Sequence, residues 1–460
     1  MFRMSAFRDG HAHPLFAGRE ALGPRLDGLG SIAQIQAEVE RFAKANPGLD
    51  WIVGGAYDRS LAPSFMAEWI DEVVSDRPVV LHASDHHTIW VNHKALERAG
   101  VLESFPEVAT GFADLDEFGR PTGTLRESGA MDIVLEKIPA LGVEGELLAL
   151  DWAQNELLSV GIAQVQDAWI EKGMAEVYLE ALARKRLKVA TNLAFRITPE
   201  NKDSDKTYIQ GLAKEIESIN SPLLKAKTVK FFVDGVLGSG TAMVHEPYQD
   251  GSGHGDPVWD AAEFFKTVSE YAALGFQLHI HAIGDAGVTQ ALDAIERVGR
   301  TSLPSVIAHA ELVDPKDIPR FKTLGVIANY QPLWARPDGM LTSCQPKLGQ
   351  SRIDKMYPIR TLMDAGAKIS FGSDWPVSSV NPLLGIQTAV TRSYLGSSHS
   401  PEEAISLTEA IHSYTTAVEE QLGWSLGEQV ILSQDPSAVP LDEISEIQVI
   451  ELWRGKDQIH

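Results

Sequence analysis

His11-Ala12-His13 sets two imidazoles two residues apart on an extended segment, and because strand side chains alternate, both point to one face. Such a pair suits a divalent metal ion. If these histidines close a first strand, further ligands should close later ones. Lys230 lies within Thr228-Val229-Lys230-Phe231-Phe232-Val233-Asp234-Gly235, and His281 ends Gln277-Leu278-His279-Ile280-His281. His309 ends Ile307-Ala308-His309, and Asp374 follows Ile369-Ser370-Phe371-Gly372-Ser373. All four are metal-ligand types within or at the ends of apolar runs, and jointly they point to a metal site. Lys230 raises its own question. A buried, unpaired ammonium costs several kcal/mol, and its pKa falls towards neutrality. Two readings stand: Asp234 pairs with it on the same face, or the neutral amine takes up carbon dioxide and becomes an anionic carbamate able to bridge two metals.

Those residues need a scaffold. A first strand runs up to His11, and from residue 144 onward strands and helices alternate. The expected strands are Gly161–Asp167, Leu187–Ile197, Thr228–Asp234, Phe276–Ala282, Pro304–His309, Gly325–Tyr330 and Ala367–Ser373. Helical stretches such as Ala261–Leu274, Ala286–Val298 and Ile359–Ala365 lie between them. With the strand before His11 this gives an α/β fold, a (β/α)8 TIM-type barrel whose site sits at the carboxyl ends of its strands. A doubly wound open sheet is the alternative that periodicity leaves open. The expected organisation is 1–14 for the first strand and its metal motif, 15–160 for an inserted subdomain, 161–420 for seven β/α units, and 421–460 for a C-terminal β segment. Gly111–Gly123 reads as loop.

Bulk composition narrows the class. The chain has 460 residues, 44% hydrophobic and 22% charged, as a globular protein should. Its formal net charge of −23 disfavours nucleic acid and anionic lipid as partners. The lone cysteine, Cys344, excludes internal disulfides and fits a reducing, cytoplasmic setting. No run is apolar enough for a membrane span.

Longer words now carry a resemblance. Asp9-Gly10-His11-Ala12-His13-Pro14, Val233-Asp234-Gly235, His281-Ala282-Ile283-Gly284-Asp285 and Gly372-Ser373-Asp374-Trp375-Pro376 resemble the family 3 branch of the amidohydrolase superfamily, which includes N-substituted formamide deformylase. Within the insertion, Trp90-Val91-Asn92-His93-Lys94-Ala95-Leu96 and Gly123-Thr124-Leu125-Arg126-Glu127 match it too. The resemblance implies two divalent ions, zinc by expectation. His11 and His13 would hold the more buried ion and His281 and His309 the second, with a Lys230 carbamate (made from carbon dioxide) as bridge. Asp374 would contact the first ion and act as general base. His279 shares a face with His281, but the Ala-Ile-Gly-Asp after His281 sets the register, leaving His279 for packing or support. His87 is the candidate donor to the developing oxyanion, and Glu127 a further candidate.

The implied activity is hydrolysis of a C–N bond in an amide, formamide or cyclic amide. An ester or lactone hydrolase on the same scaffold is the nearest alternative, and a non-catalytic metal-binding regulatory protein is a third reading. Trp90, Trp259, Tyr330, Trp334 and Trp375 near strand ends suggest a small apolar or aromatic substrate, and Arg336 could meet a carboxylate. Trp259 and Trp334 read equally well as packing. Relatives carry more chain before the His-x-His, strands of a small β-sandwich that the C-terminal segment completes. Glu428–Ser433 and Ile447–Trp453 are therefore expected to form an incomplete sandwich with open edges. Either the start is a truncated reading, or these strands pack on the barrel or on a second subunit as a homodimer.

Overall fold

Eight apolar runs form one parallel sheet that curls into a barrel in the computed structural model, which describes residues 1–84, 86–108 and 111–460. In chain order the barrel strands are β1 (Phe7–Ala12), β2 (Ile162–Ile170), β3 (Ala190–Arg196), β4 (Leu224–Phe232), β5 (Gln277–Ala282), β6 (Val306–His309), β7 (Ile327–Tyr330) and β8 (Lys368–Phe371). Each pairs in parallel with the next. β1 and β8 are joined just past their ends, where the His13 amide donates to the Trp375 carbonyl and the Asp374 amide to that of His11, both at 2.7 Å. β1, β5, β6 and β7 are buried at every residue, as strands covered on both faces should be. The covering helices are amphipathic. Lys206–Ile219 buries Ile209, Leu212 and Ile216, and Asp285–Val298 buries Val288, Ala291, Leu292 and Ile295. The (β/α)8 barrel expected from the alternation is present.

Four neighbouring strands also carry a buried polar belt. Asn192 Nδ2 donates to Gln166 Oε1 and to Thr228 Oγ1, each at 2.7 Å, and Thr228 Oγ1 donates to Gln277 Oε1 at 2.8 Å. Because each amide finds a partner, the belt avoids the desolvation cost of unpaired groups.

Met1–His13 and Gln154–His460 form one compact unit, and Pro14–Ala153 forms the other. The second unit has a five-stranded sheet in the order Ile52–Tyr57, Val79–Ala83, Thr88–Val91, Pro121–Arg126, Phe112–Leu115. Alternate residues serve opposite faces. Val79, Leu81 and Trp90 join one apolar cluster with Ile35, Tyr57 and Phe65, while Val80, Ile89 and Val91 join another with Leu96, Leu125 and Val134. The expected loop over 111–123 is instead an antiparallel hairpin. Asp116 Oδ1 accepts from the amides of Phe118 and Arg120 at 2.8 and 2.9 Å, and Gly119, at φ +80°, completes the turn.

A four-stranded antiparallel sheet corrects the expectation of open C-terminal edges. Phe2–Ser5 pairs with Gln429–Leu432, which pairs with Val449–Arg454, and Asp457–Gln458 follows. The residues ahead of β1 supply the extra strand. Arg454 anchors this sheet to the barrel, donating through Nη1 to the Lys188 carbonyl at 3.0 Å. Among the described residues no helix is long and apolar enough to cross a membrane.

Candidate metal centre

β1 and β8 meet closely because glycines remove the side chains that would hold them apart. A Cβ on Gly372 would lie 2.6 Å from the His11 nitrogen, and one on Gly10 would lie 2.5 Å from Asn329 Nδ2. Asp9 then clamps the two strand ends. Its Oδ1 accepts from the amides of His11 (3.0 Å) and Ser373 (3.1 Å), and its Oδ2 accepts from Ser373 Oγ at 2.6 Å. Burial pushes the Asp9 carboxyl up to about 6 against these hydrogen bonds.

Within that clamp His13 Nε2 lies 2.7 Å and His11 Nε2 3.3 Å from Asp374 Oδ1. One donor atom from each of these three buried residues falls within 4.8 Å of the others. Burial alone would raise the Asp374 pKa, but the charge and hydrogen bonds of His11 and His13 hold it well below the usual carboxylate range. Two imidazole nitrogens and a carboxylate oxygen gathered this closely away from water are a ligand set that fits a divalent cation, which would take the place of the protons they now share. Asp374, at φ +55°, and His309, at φ +77°, both adopt left-handed backbone that favours glycine, a local cost common at functional sites.

Lys230 is fully buried, with Nζ 3.3 Å from His11 Nε2. Burial draws its ammonium down to about 7, with Asp374 opposing. It forms no ion pair among the described residues. Asp234 is occupied elsewhere, accepting from the amides of Met243, Ile283 and Gly284 at 2.9 to 3.0 Å. The pairing reading for Lys230 is thereby corrected. His279 Nε2 lies 2.9 Å from His11 Nδ1, so its contact is to a ligand candidate's outer nitrogen.

His281 and His309 form a second pair, with ring centroids 4.5 Å apart and the His309 ring 4.9 Å from that of His11. His281 Nε2 lies 3.3 Å from the Gly235 carbonyl, and His309 Nδ1 lies 2.8 Å from Gln331 Oε1. Burial lowers both pKa values, His281 to about 3, and keeps the rings neutral as lone-pair donors.

His87 belongs to the second unit, where its Nδ1 lies 2.8 Å from Glu127 Oε2. The two insertion candidates thus form a dyad. Glu127, at φ +62°, is drawn up by burial but pulled below its ordinary value by His87.

The aromatic candidates divide. Trp90 is core of the second unit, its Nε1 donating to the Met66 carbonyl at 2.9 Å, and Trp259 Nε1 is likewise spent on the Phe232 carbonyl. Tyr330 donates to the Ala310 carbonyl, and Arg336 pairs with Asp338 at 2.8 Å rather than standing free. Trp375 is buried beside Asp374 in sequence. Trp334 stacks on His309, with 5.1 Å between centroids and 1° between planes, and its buried Nε1 has no partner among the described residues. Sequence reasoning missed Trp169, edge-on to His13 at 6.0 Å, and Phe232, 4.6 Å from His281 and 4.9 Å from Lys230 Nζ. It also missed Asp9 and Gln331 as supports. Phe232 sits two residues after Lys230 and so on its face of β4, which was the available signal.

Known proteins are similar to this chain over most of its length. Over 431 residues the chain is 31% identical to Protein LONG AFTER FAR-RED 3 of Arabidopsis thaliana, covering 88% of this chain and 72% of that protein. It is 25% identical over 458 residues to N-substituted formamide deformylase of Arthrobacter pascens, covering 92% and 82%. An uncharacterized metal-dependent hydrolase from Pyrococcus furiosus superposes with a TM-score of 0.72 at 28% identity, over 95% of this chain and 88% of that one. The amidohydrolase family model matches residues 4–455, and the chain belongs to that family.

Proposed function

We infer that this amidohydrolase-family protein is a metal-dependent hydrolase of a C–N bond in a small amide, formamide or cyclic amide. The observation that carries the reading is the convergence of His11, His13 and Asp374, with Lys230 and the His281–His309 pair beside them. Likeness to N-substituted formamide deformylase favours the C–N bond over an ester. His11, His13 and Asp374 would hold one divalent ion, zinc by ligand type, and His281 and His309 a second. Such ions supply Lewis acidity and lower the pKa of water towards neutrality.

The chain's own residues do the rest. Asp374, kept ionised by its two histidines, takes the proton of the attacking water and returns it to the leaving nitrogen. Lys230, its pKa drawn down to about 7 by burial, adds carbon dioxide as the free amine, releasing one proton and gaining one carboxylate. Phe232, Trp169 and Trp334 contribute an apolar wall that suits an aromatic or apolar acyl or amine group.

A panel of formanilides, acyl anilides and matched aryl esters, run on metal-stripped and zinc-reloaded protein, tests the assignment. Zinc-dependent cleavage of amides is expected. Cleavage of esters alone would move the reading to an esterase, and no cleavage of either class by reloaded protein would sink it.

A further inference from the structure

A buried chain of hydrogen bonds starts at a backbone carbonyl beside His11 and ends on the ring of His309. Gln421, on the helix Thr416–Leu422, donates through Nε2 to the Gly10 carbonyl at 2.7 Å. A carbonyl can only accept, so this contact fixes which end of the Gln421 amide is nitrogen. Its Oε1 must then accept, and it does so from Ser370 Oγ at 2.6 Å and from Asn329 Nδ2 at 3.3 Å. Asn329 Nδ2 also donates to Ser370 Oγ at 2.9 Å, which leaves Asn329 Oδ1 as the acceptor for Gln331 Nε2 at 3.0 Å. Gln331 therefore turns Oε1, an acceptor only, towards His309 Nδ1 at 2.8 Å. Asn329, Gln331, Ser370 and Gln421 are all buried, so water does not compete for these bonds.

We propose that Gln331, oriented through Asn329 by Gln421, is a positioning residue that holds His309 in the tautomer with its proton on Nδ1 and its lone pair on Nε2. The inference rests on the reading of His309 as a metal ligand, and it adds how this chain readies that ligand before an ion arrives. A ring nitrogen opposite a fixed acceptor keeps its proton, and the other nitrogen is left free to bind. Gly10 is part of the device. Only a residue without Cβ lets Asn329 and Gln421 approach β1 this closely, at 2.5 and 2.9 Å from the position a Cβ would take. The relay thereby ties the strand bearing His11 to the residue that orients His309.

The test uses full-length protein labelled with 15N-histidine, with the His309 signals assigned by their loss in His309→Asn. Two-bond 1H–15N correlations on metal-free protein read the tautomer, and titration with zinc alone reads the affinity of each ion. Wild-type protein should show His309 protonated on Nδ1. Gln331→Glu keeps an acceptor in place and should preserve both the tautomer and zinc binding. Gln331→Leu should give mixed tautomers and weaken the second ion about 10- to 100-fold while sparing the first. Gln421→Leu should change both readouts in the same direction. An Nε2-protonated His309 in wild-type protein overturns the proposal even if no variant folds. So does a folded Gln331→Leu with wild-type tautomer and zinc affinity, or equal losses in Gln331→Leu and Gln331→Glu. The tautomer is read without metal or substrate, so wild-type protein that binds no zinc would defeat the proposed function and still leave the relay decided.

Discussion

The two halves of the candidate centre are built differently. On one side His11, His13 and Asp374 already lie within coordination reach of one another, pinned by the Asp9 clamp and by two glycines that let β1 and β8 touch. On the other side His281 and His309 stand as a pair of rings, with one nitrogen of each facing a fixed oxygen, of Gly235 or Gln331. The first half is a pocket of converging donors. The second is a pair of oriented rings beside Lys230, whose Nζ lies 3.3 Å from His11 Nε2. On the proposed two-ion reading, the first ion would bind a preformed site and the second would depend on support from neighbours.

The largest effect expected from breaking this arrangement is in the first half. Asp374→Asn keeps the volume and removes the base, so kcat should drop about 100- to 10,000-fold while circular dichroism stays unchanged. Near-wild-type turnover would exclude Asp374 as the proton carrier. Next, Lys230→Ala should bind the first ion and lose most of the second, and short carboxylic acids in solution should restore part of it. Full occupancy of both sites in that variant would show that no bridge is needed. Asp9→Ala should destabilise the fold by about 2 to 4 kcal/mol, because the His11 and Ser373 amides lose a buried acceptor. Denaturant midpoints measure this, and an unchanged midpoint would mean the clamp is dispensable.

The smallest effect belongs to a control outside both halves. Glu409 caps the helix Leu407–Ser413 and accepts from Arg360 at 2.8 Å. Burial would raise its pKa, but Arg360 and Ser406 bring it down to about 2. A depressed carboxylate contributes stability above its unfolded pKa of about 4.3 and loses that contribution as pH falls towards 2. The melting-temperature gap between wild type and Glu409→Gln should be under about 1 kcal/mol in equivalent stability and should shrink below about pH 4. A gap that widens in acid would reverse the sign. Zinc content should be the same in both proteins.

What was legible in the sequence follows from how local each signal is. His11 and His13 announce themselves because strand periodicity puts neighbours two apart on one face, and the barrel announces itself through apolar runs that alternate with amphipathic helices. Lys230 stood out as a charge in an apolar run. Asp9 was visible only as one residue of the motif before His11, since its role depends on Ser373, 364 positions away. Gln331 and Gln421 had no signature either. Amides carry no periodic mark, and Gln421 meets Gly10 across 411 positions. Trp90 was misread for a related reason: a large aromatic before a turn looks the same whether it lines a site or fills the second unit's core. The C-terminal strands looked unpartnered because Phe2–Ser5 is too short to register as a strand on its own.

The central claim is that this donor set holds divalent metal for hydrolysis. Metal analysis of protein purified without chelator, followed by stripping and zinc titration, tests it most directly. About two transition-metal ions per chain are expected, with activity lost on stripping and regained on reloading. Protein that carries none and binds none when zinc is supplied would contradict it.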